Sequence, residues 1–265
     1  MSDAIVFPFS MKDVIGSIKV GDAVSINKDG KLQLGAGTTI TTGIKEWEKA
    51  QFSHLHSTNV GEHLFVYAYD GNIAVDYIDD NGDVSYEVTS PLPAVGEKTR
   101  SVDEMFTLDN NVVIIIGSNE VLPCAIIEQK DTAEIMCYEG VRFTAHTSAN
   151  ALGDTLGDKC FALSYFHTSD ENKVYHLATR TGCIERGEKI TITMTEENLY
   201  SENYMFHAIA GLSEETYVLA KAMDMTMTNN DIQFQLATVK NGTIKVAKEI
   251  VLRNRTNFGF FDMDK

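Results

Sequence analysis

Apolar and polar positions alternate along this chain in short stretches separated by turn residues. Four times the stretches fall into the same order, at intervals of about 50 residues. The clearest set is QFSHLH (51–56), HLFVYAY (63–69), NIAVDYI (72–78) and DVSYEVT (83–89). Alternation with a period of two marks half-buried strands. Asp70-Gly71 and Asn81-Gly82 tolerate the positive φ of a two-residue turn, so both are expected to close hairpins.

The second set reads SVDEMFTL (101–108), NVVIIIG (111–117), LPCAIIEQ (122–129) and AEIMCYE (133–139). A third runs RFTAHTSA (142–149), KCFALSYF (159–166), NKVYHLAT (172–179) and KITITM (189–194), with a loop expected around 153–158. The fourth is YMFHAIAG (204–211), TYVLAKAM (216–223), DIQFQLATV (231–239) and TIKVAKEIVL (243–252), the last two turning at Asn241-Gly242. Leu64, Val112, Phe161 and Thr216, matched in the second strands, stand 48, 49 and 55 residues apart. Nothing in these sets reads as helix.

A recurring unit of this size cannot bury its own faces and must stack on its neighbours. The expected fold is therefore all-β, a β-propeller of four-stranded antiparallel blades arranged about an axis. The second strands agree, because LFVYAY, VVIIIG, CFALSYF and YVLAKA are nearly continuous apolar runs, as strands buried on both faces require. A β-sandwich or a string of small β domains is the alternative. A sandwich, however, has no need of a 50-residue period.

Residues 51–265 hold the repeats, and residues 1–50 form either a docking module or part of a closing blade. GSIKVGDAVSINKDGKLQLGAG (16–37) offers two or three short strands turning at Asp29-Gly30. At the other end, 258–261 resemble the opening strands that carry Phe52, Phe106 and Phe206. Joining the two ends in one sheet would remove exposed edges, giving about five blades with one shared. Trp47, the only tryptophan, is expected as a core plug at the junction.

Charge narrows the partners. Lysine and arginine number 22 against 38 aspartate and glutamate, a formal charge of −16, so a phosphate backbone is repelled and nucleic acid is not an expected ligand. No run approaches the about 20 consecutive apolar residues of a membrane helix. The first residues carry neither a basic segment nor an uninterrupted apolar stretch, so no secretory signal is expected and assembly in a cytoplasm is. Cys124, Cys137, Cys160 and Cys183 form no CxxC pair. Although the first two can face each other across a hairpin, buried free thiols are the expected state of all four.

The search for chemistry yields no catalytic, cofactor or metal set. His54 and His56 fall on one strand face with His63 nearby, but no carboxylate or cysteine completes a zinc ligand set. DYIDDNGDVSYE (76–87) fails as a calcium loop, since aligning Gly82 puts Tyr77 first and Val88 last. Asp79, Asp80 and Asp83 are better read as solvating a hairpin. Asp103, Glu104, Glu202 and Asp262 lie in or just before opening strands without forming the paired carboxylates of a glycosidase. No nucleophile elbow, phosphate loop or H-E-x-x-H is present. MDMTMTNN (223–230) reads as a partly covered edge, or else a contact loop.

The phrase VGDAVSINKDGKLQLG (20–35) resembles a short β module of bacteriophage and related viral structural proteins, and HLFVYAYDGNIAVDYIDDNGDVSYEV (63–88) looks like the propeller repeats that follow it. This resemblance implies a virion component, a tail, fibre or adaptor protein. Its partners would be other virion or scaffold proteins and a host-surface glycan or protein, and it would act as a homo-oligomer or in a larger assembly. A carbohydrate-binding or glycoside-cleaving propeller is the alternative function, and a cytoplasmic scaffold the alternative setting.

Overall fold

The computed structural model describes residues 14–15, 24–26, 32–34, 55–79, 83–145, 151–168, 175–200, 204, 206–222, 232–240 and 242–252. The chain divides into two units, Met1–Ala50 and Gln51–Lys265. In the first, β1 (Val14–Ile15), β2 (Val24–Ile26) and β3 (Leu32–Leu34) form a small sheet, with β2 and β3 antiparallel and β1 parallel to β3. β2 and β3 pair with Val24 opposite Leu34 and Ile26 opposite Leu32, and the expected Asp29-Gly30 turn between them lies outside the described residues. Trp47, the Phe258–Phe261 stretch and the closing blade lie outside the described residues.

The second unit is all-β, with no helix among its described residues. Its first sheet is β4 (His56–Val60), β5 (Leu64–Tyr69), β6 (Asn72–Ile78) and β7 (Val84–Pro91), in that order. A second sheet follows as β8 (Glu104–Leu108), β9 (Val112–Gly117), β10 (Glu120–Gln129) and β11 (Thr132–Cys137), with β12 (Val141–Arg142) also on β10. The third comprises β13 (Leu152–Leu156), β14 (Cys160–Thr168), β15 (Tyr175–Arg186) and β16 (Ile190–Met194), with β17 (Asn198–Leu199) on β15. β18 (Phe206–Ser213), β19 (Thr216–Ala222), β20 (Ile232–Lys240) and β21 (Thr243–Val246) form the fourth, with β22 (Ile250–Leu252) on β20. All pairings within these four open sheets are antiparallel.

Period-two geometry decides which neighbour each residue meets. Along β9, Val112, Ile114 and Ile116 pack with Phe161, Leu163 and Tyr165 of the third sheet, while Val113 and Ile115 pack with Val66, Ile73 and Val75 of the first. The strand is buried on both faces, hence its unbroken apolar run. A further core of Ala162, Leu177, Ile209, Tyr217 and Leu219 joins the third and fourth sheets.

The opening strands β4, β8, β13 and β18 lie side by side in chain order. Hydrogen bonds link each to the next. Thr107 Oγ1 donates to Asn59 O at 2.7 Å and sits 3.0 Å from Thr58 Oγ1; Asp103 Oδ2 accepts from Ala151 N at 3.3 Å; Asp154 Oδ2 accepts from Gly211 N at 2.8 Å. These partners are 48, 49, 48 and 57 residues apart, so the repeat spacing is also the spacing of the sheet-to-sheet bonds.

Two expectations are corrected. The opening strand of the third sheet is LGDTL, not RFTAHTSA; a segment read as loop is β13. Its glycine and aspartate serve sheet packing rather than a turn: a Cβ on Gly153 would lie 2.5 Å from Ile116 and 2.9 Å from Phe106, and Asp154 holds Gly211. Asn81-Gly82 lies outside the described residues; on either side of it Asp79 N donates to Asp83 O at 3.0 Å. Asp70 and Gly71, with φ of 45° and 79°, do form the expected two-residue turn.

The second correction is to the cysteines, which are not free: Cys124 pairs with Cys137 and Cys160 with Cys183. Each pair is directly opposed in register, with Cα atoms 4.0 Å apart. Backbone bonds Tyr138 N to Pro123 O and Ile184 N to Lys159 O fix the neighbouring positions as hydrogen-bonded pairs. The cysteines therefore occupy non-hydrogen-bonded positions, where side chains approach most closely.

Candidate functional site

In the last three sheets the outermost strand breaks after β11, β16 and β21, at 138–140, 195–197 and 247–249. The first residue of each break still donates to the third strand: Tyr138 to Pro123 O at 2.9 Å, Thr195 to Thr181 O at 2.8 Å, Ala247 to Leu236 O at 2.8 Å. Pro123 fits here because its missing N–H points to the side where pairing with the outer strand gives out. The third residue of each break is Gly140, Glu197 or Glu249.

Each break accompanies an acidic side chain and a buried partner. Glu249 pairs with Lys221, which is 1% exposed, donates to Gln235 Oε1 at 3.1 Å and lies 4.4 and 4.5 Å from the ring centroids of Tyr200 and Tyr204. Glu197 accepts from the Tyr165 hydroxyl, and its other oxygen is 3.0 Å from His167 Nδ1. At the second sheet's break a Cβ on Gly140 would meet Glu120 at 2.7 Å, so glycine leaves room for a carboxylate arriving from β10. Glu120 there pairs at 2.5 Å with Arg100, itself 4% exposed and bonded through Nε to Pro93 O at 3.0 Å.

Burial raises the phenol pKa values of Tyr165, Tyr200 and Tyr217, and Glu197 adds to the rise at Tyr165. These hydroxyls stay neutral and can donate, as Tyr217 does to Thr179 Oγ1 at 3.0 Å. Ser164 Oγ and His207 Nδ1 lie 2.8 Å apart, with Phe166 edge-on to the imidazole. Because Ser164 is fully buried, this pair joins the third and fourth sheets as a core hydrogen bond rather than presenting a nucleophile.

The candidates singled out in the sequence are dispersed. His56 starts β4, whereas His63 sits in the following turn with Nδ1 3.0 Å from Ile78 O; His54 is outside the described residues. Among the described residues no group of three or more His, Cys, Asp or Glu side chains is placed to hold a metal. Asp79 Oδ1 accepts from Asp83 N at 2.9 Å, within the hairpin that these aspartates were expected to solvate. Asp103 holds Ala151, and Glu104 accepts from Met105 N at 3.0 Å. Asp80, Glu202, Asp262 and the 223–230 loop lie outside the described residues.

The sequence reading passed over a surface cleft of about 520 Å³ between the first and second sheets. Tyr77, Ser85 and Tyr86 line it from β6 and β7; Glu128, Gln129, Lys130 and Asp131 line it from the β10–β11 hairpin. Tyr77 and Tyr86 are opposed in register, and their rings stack at 5.3 Å and 27°. The His63 ring also lies 5.3 Å from that of Tyr77, tilted at 32°. The register shifts between Tyr77 and Ile78, making Ser85 the extra residue of a bulge. Burial, Glu128 and Tyr77 raise the Tyr86 pKa, in that order. Hairpin symmetry alone would have placed Tyr77 opposite Tyr86; the approach of the second sheet's hairpin had no local signal.

No protein-family model matches the chain, and no curated protein matches it.

Proposed function

We propose that the four sheets are blades of a β-propeller of about five blades, and that the protein is a non-enzymatic contact module of a virus particle, a tail, fibre or adaptor component. The observation that carries the architecture is the side-by-side order of the opening strands, with each sheet packed face to face on the next. A two-layer sandwich would leave one face of β9 without a partner sheet. Radial stacking covers both.

The contact role is favoured over glycoside cleavage by the state of the charges. Asp103 and Asp154 on the opening side accept backbone N–H groups of the next sheet, and the buried cations Arg100 and Lys221 are matched by Glu120 and Glu249. Carboxylates held this way stiffen a scaffold. The viral setting rests on the VGDAVSINKDGKLQLG phrase, and there the protein would act in several copies among other particle proteins, touching them or a host surface.

Quantitative mass spectrometry and cryo-electron microscopy of particles purified from the producing cells test this. The expected result is a fixed copy number per particle and density that fits the four-sheet body. Finding the protein only in the particle-free lysate overturns the viral setting.

A further inference from the structure

We propose that the cleft between the first and second sheets binds a neutral oligosaccharide. This names a ligand for the host-surface contact and rests on that reading. A sugar ring offers C–H groups on its faces and hydroxyls, each both donor and acceptor, around its rim. The cleft supplies counterparts to both. Tyr77 and Tyr86 make an aromatic wall, and the hairpin adds the Gln129 amide and Lys130 ammonium as donors with Glu128 and Asp131 as acceptors. Its volume of about 520 Å³ falls within the range of roughly 300–1,000 Å³ usual for small-ligand sites.

A second observation is the Tyr86 hydroxyl, which is out of solvent contact and has no hydrogen-bond partner although it borders this polar cleft. A ligand hydroxyl reaches it when a lining side chain moves aside, and the group then gains the partner it lacks. The bulge that displaces Ser85 adds another hydroxyl to the same wall.

Charge selects among sugars. Two carboxylates against one ammonium in the lining, on a chain of charge −16, disfavour sialylated or sulfated glycans. A lone organic cation is the weaker match, because the two tyrosine rings stack on each other instead of enclosing a space, and a cation has no use for Gln129 and Lys130 as donors.

The test uses the full chain on an array of neutral hexose and N-acetylhexosamine oligosaccharides, then saturation-transfer NMR with the best of them, alongside 3′-sialyllactose and choline. Binding of a neutral oligosaccharide is expected, weakened about tenfold or more by Glu128→Ala, an exposed change that leaves the melting temperature in place, and weakened also by Tyr86→Phe, which keeps the ring and removes the hydroxyl. No binding across the array, binding unchanged in both variants, or binding of sialyllactose or choline alone overturns the proposal. A protein present in particles that binds no sugar loses only this ligand. One that binds sugar and is absent from particles loses only the viral setting.

Discussion

Lys221 shows how a charge is kept inside a sheet: a carboxylate, an amide oxygen and two aromatic faces replace the water it gives up. The pair is asymmetric, since the Glu249 side chain is 31% exposed and can recover solvation. Glu249→Ala, which strands a buried ammonium, is therefore expected to cost about 3–5 kcal/mol in urea unfolding, and Lys221→Met measurably less. Equal losses would mean that the pair acts only through packing. Asp76 works in the opposite sense. Burial and the neighbouring Glu87 raise its carboxyl pKa, against the pull of the Tyr67 hydroxyl 3.5 Å away. A raised folded pKa contributes stability that is fully present below the unfolded value and lost as pH rises through the folded one. Asp76→Asn should therefore melt higher than the parent at pH 7. At about pH 3.5, below the ordinary aspartate value of about 3.9, the difference should disappear.

At the scale of elements, close approach between opening strands sets the tolerances. A Cβ on Gly211 would lie 1.9 Å from Thr155 O, so Gly211→Ala must push β18 away from β13 and is expected to cost about 2 kcal/mol or more in thermal unfolding. Gly61→Ala is the control. At φ +63° with nothing within 4 Å, it meets only the left-handed backbone penalty of about 1 kcal/mol. Asp154→Ala removes the acceptor of Gly211 N and should cost about 1–3 kcal/mol, whereas Asp154→Asn keeps an acceptor and should cost less. β13 was illegible for the same reason that these changes matter. LGDTL has the composition of a turn, and only the neighbouring sheets give its glycine and aspartate a strand's work.

For the whole molecule, the two disulfides lie within the second and third sheets and close spans of 13 and 23 residues. Thiol titration of the denatured protein is expected to find no free thiol before reduction and four after it. Reduction should lower unfolding stability by about 3 kcal/mol per bridge, the loop-closure value for spans of this size. The first bridge was half legible, because Cys124 and Cys137 are symmetric about the Lys130-Asp131 turn. The second joins strands across a long hairpin, and its register cannot be counted from spacing.

Alternating apolar positions and a spacing near 50 residues determined, from sequence alone, that the chain folds as recurring antiparallel sheets. Those signals are local: side-chain periodicity and turn chemistry act within a strand or a hairpin. The unbroken run Val112–Gly117 even announced burial on both faces. Tertiary structure alone decided which faces meet, why the outer strands break where Glu197 and Glu249 reach a buried partner, and how the Lys130-Asp131 hairpin comes to border Tyr77 and Tyr86. Contacts between residues about 50 positions apart depend on how one sheet stacks on the next, and no window of sequence short enough to read contains both partners.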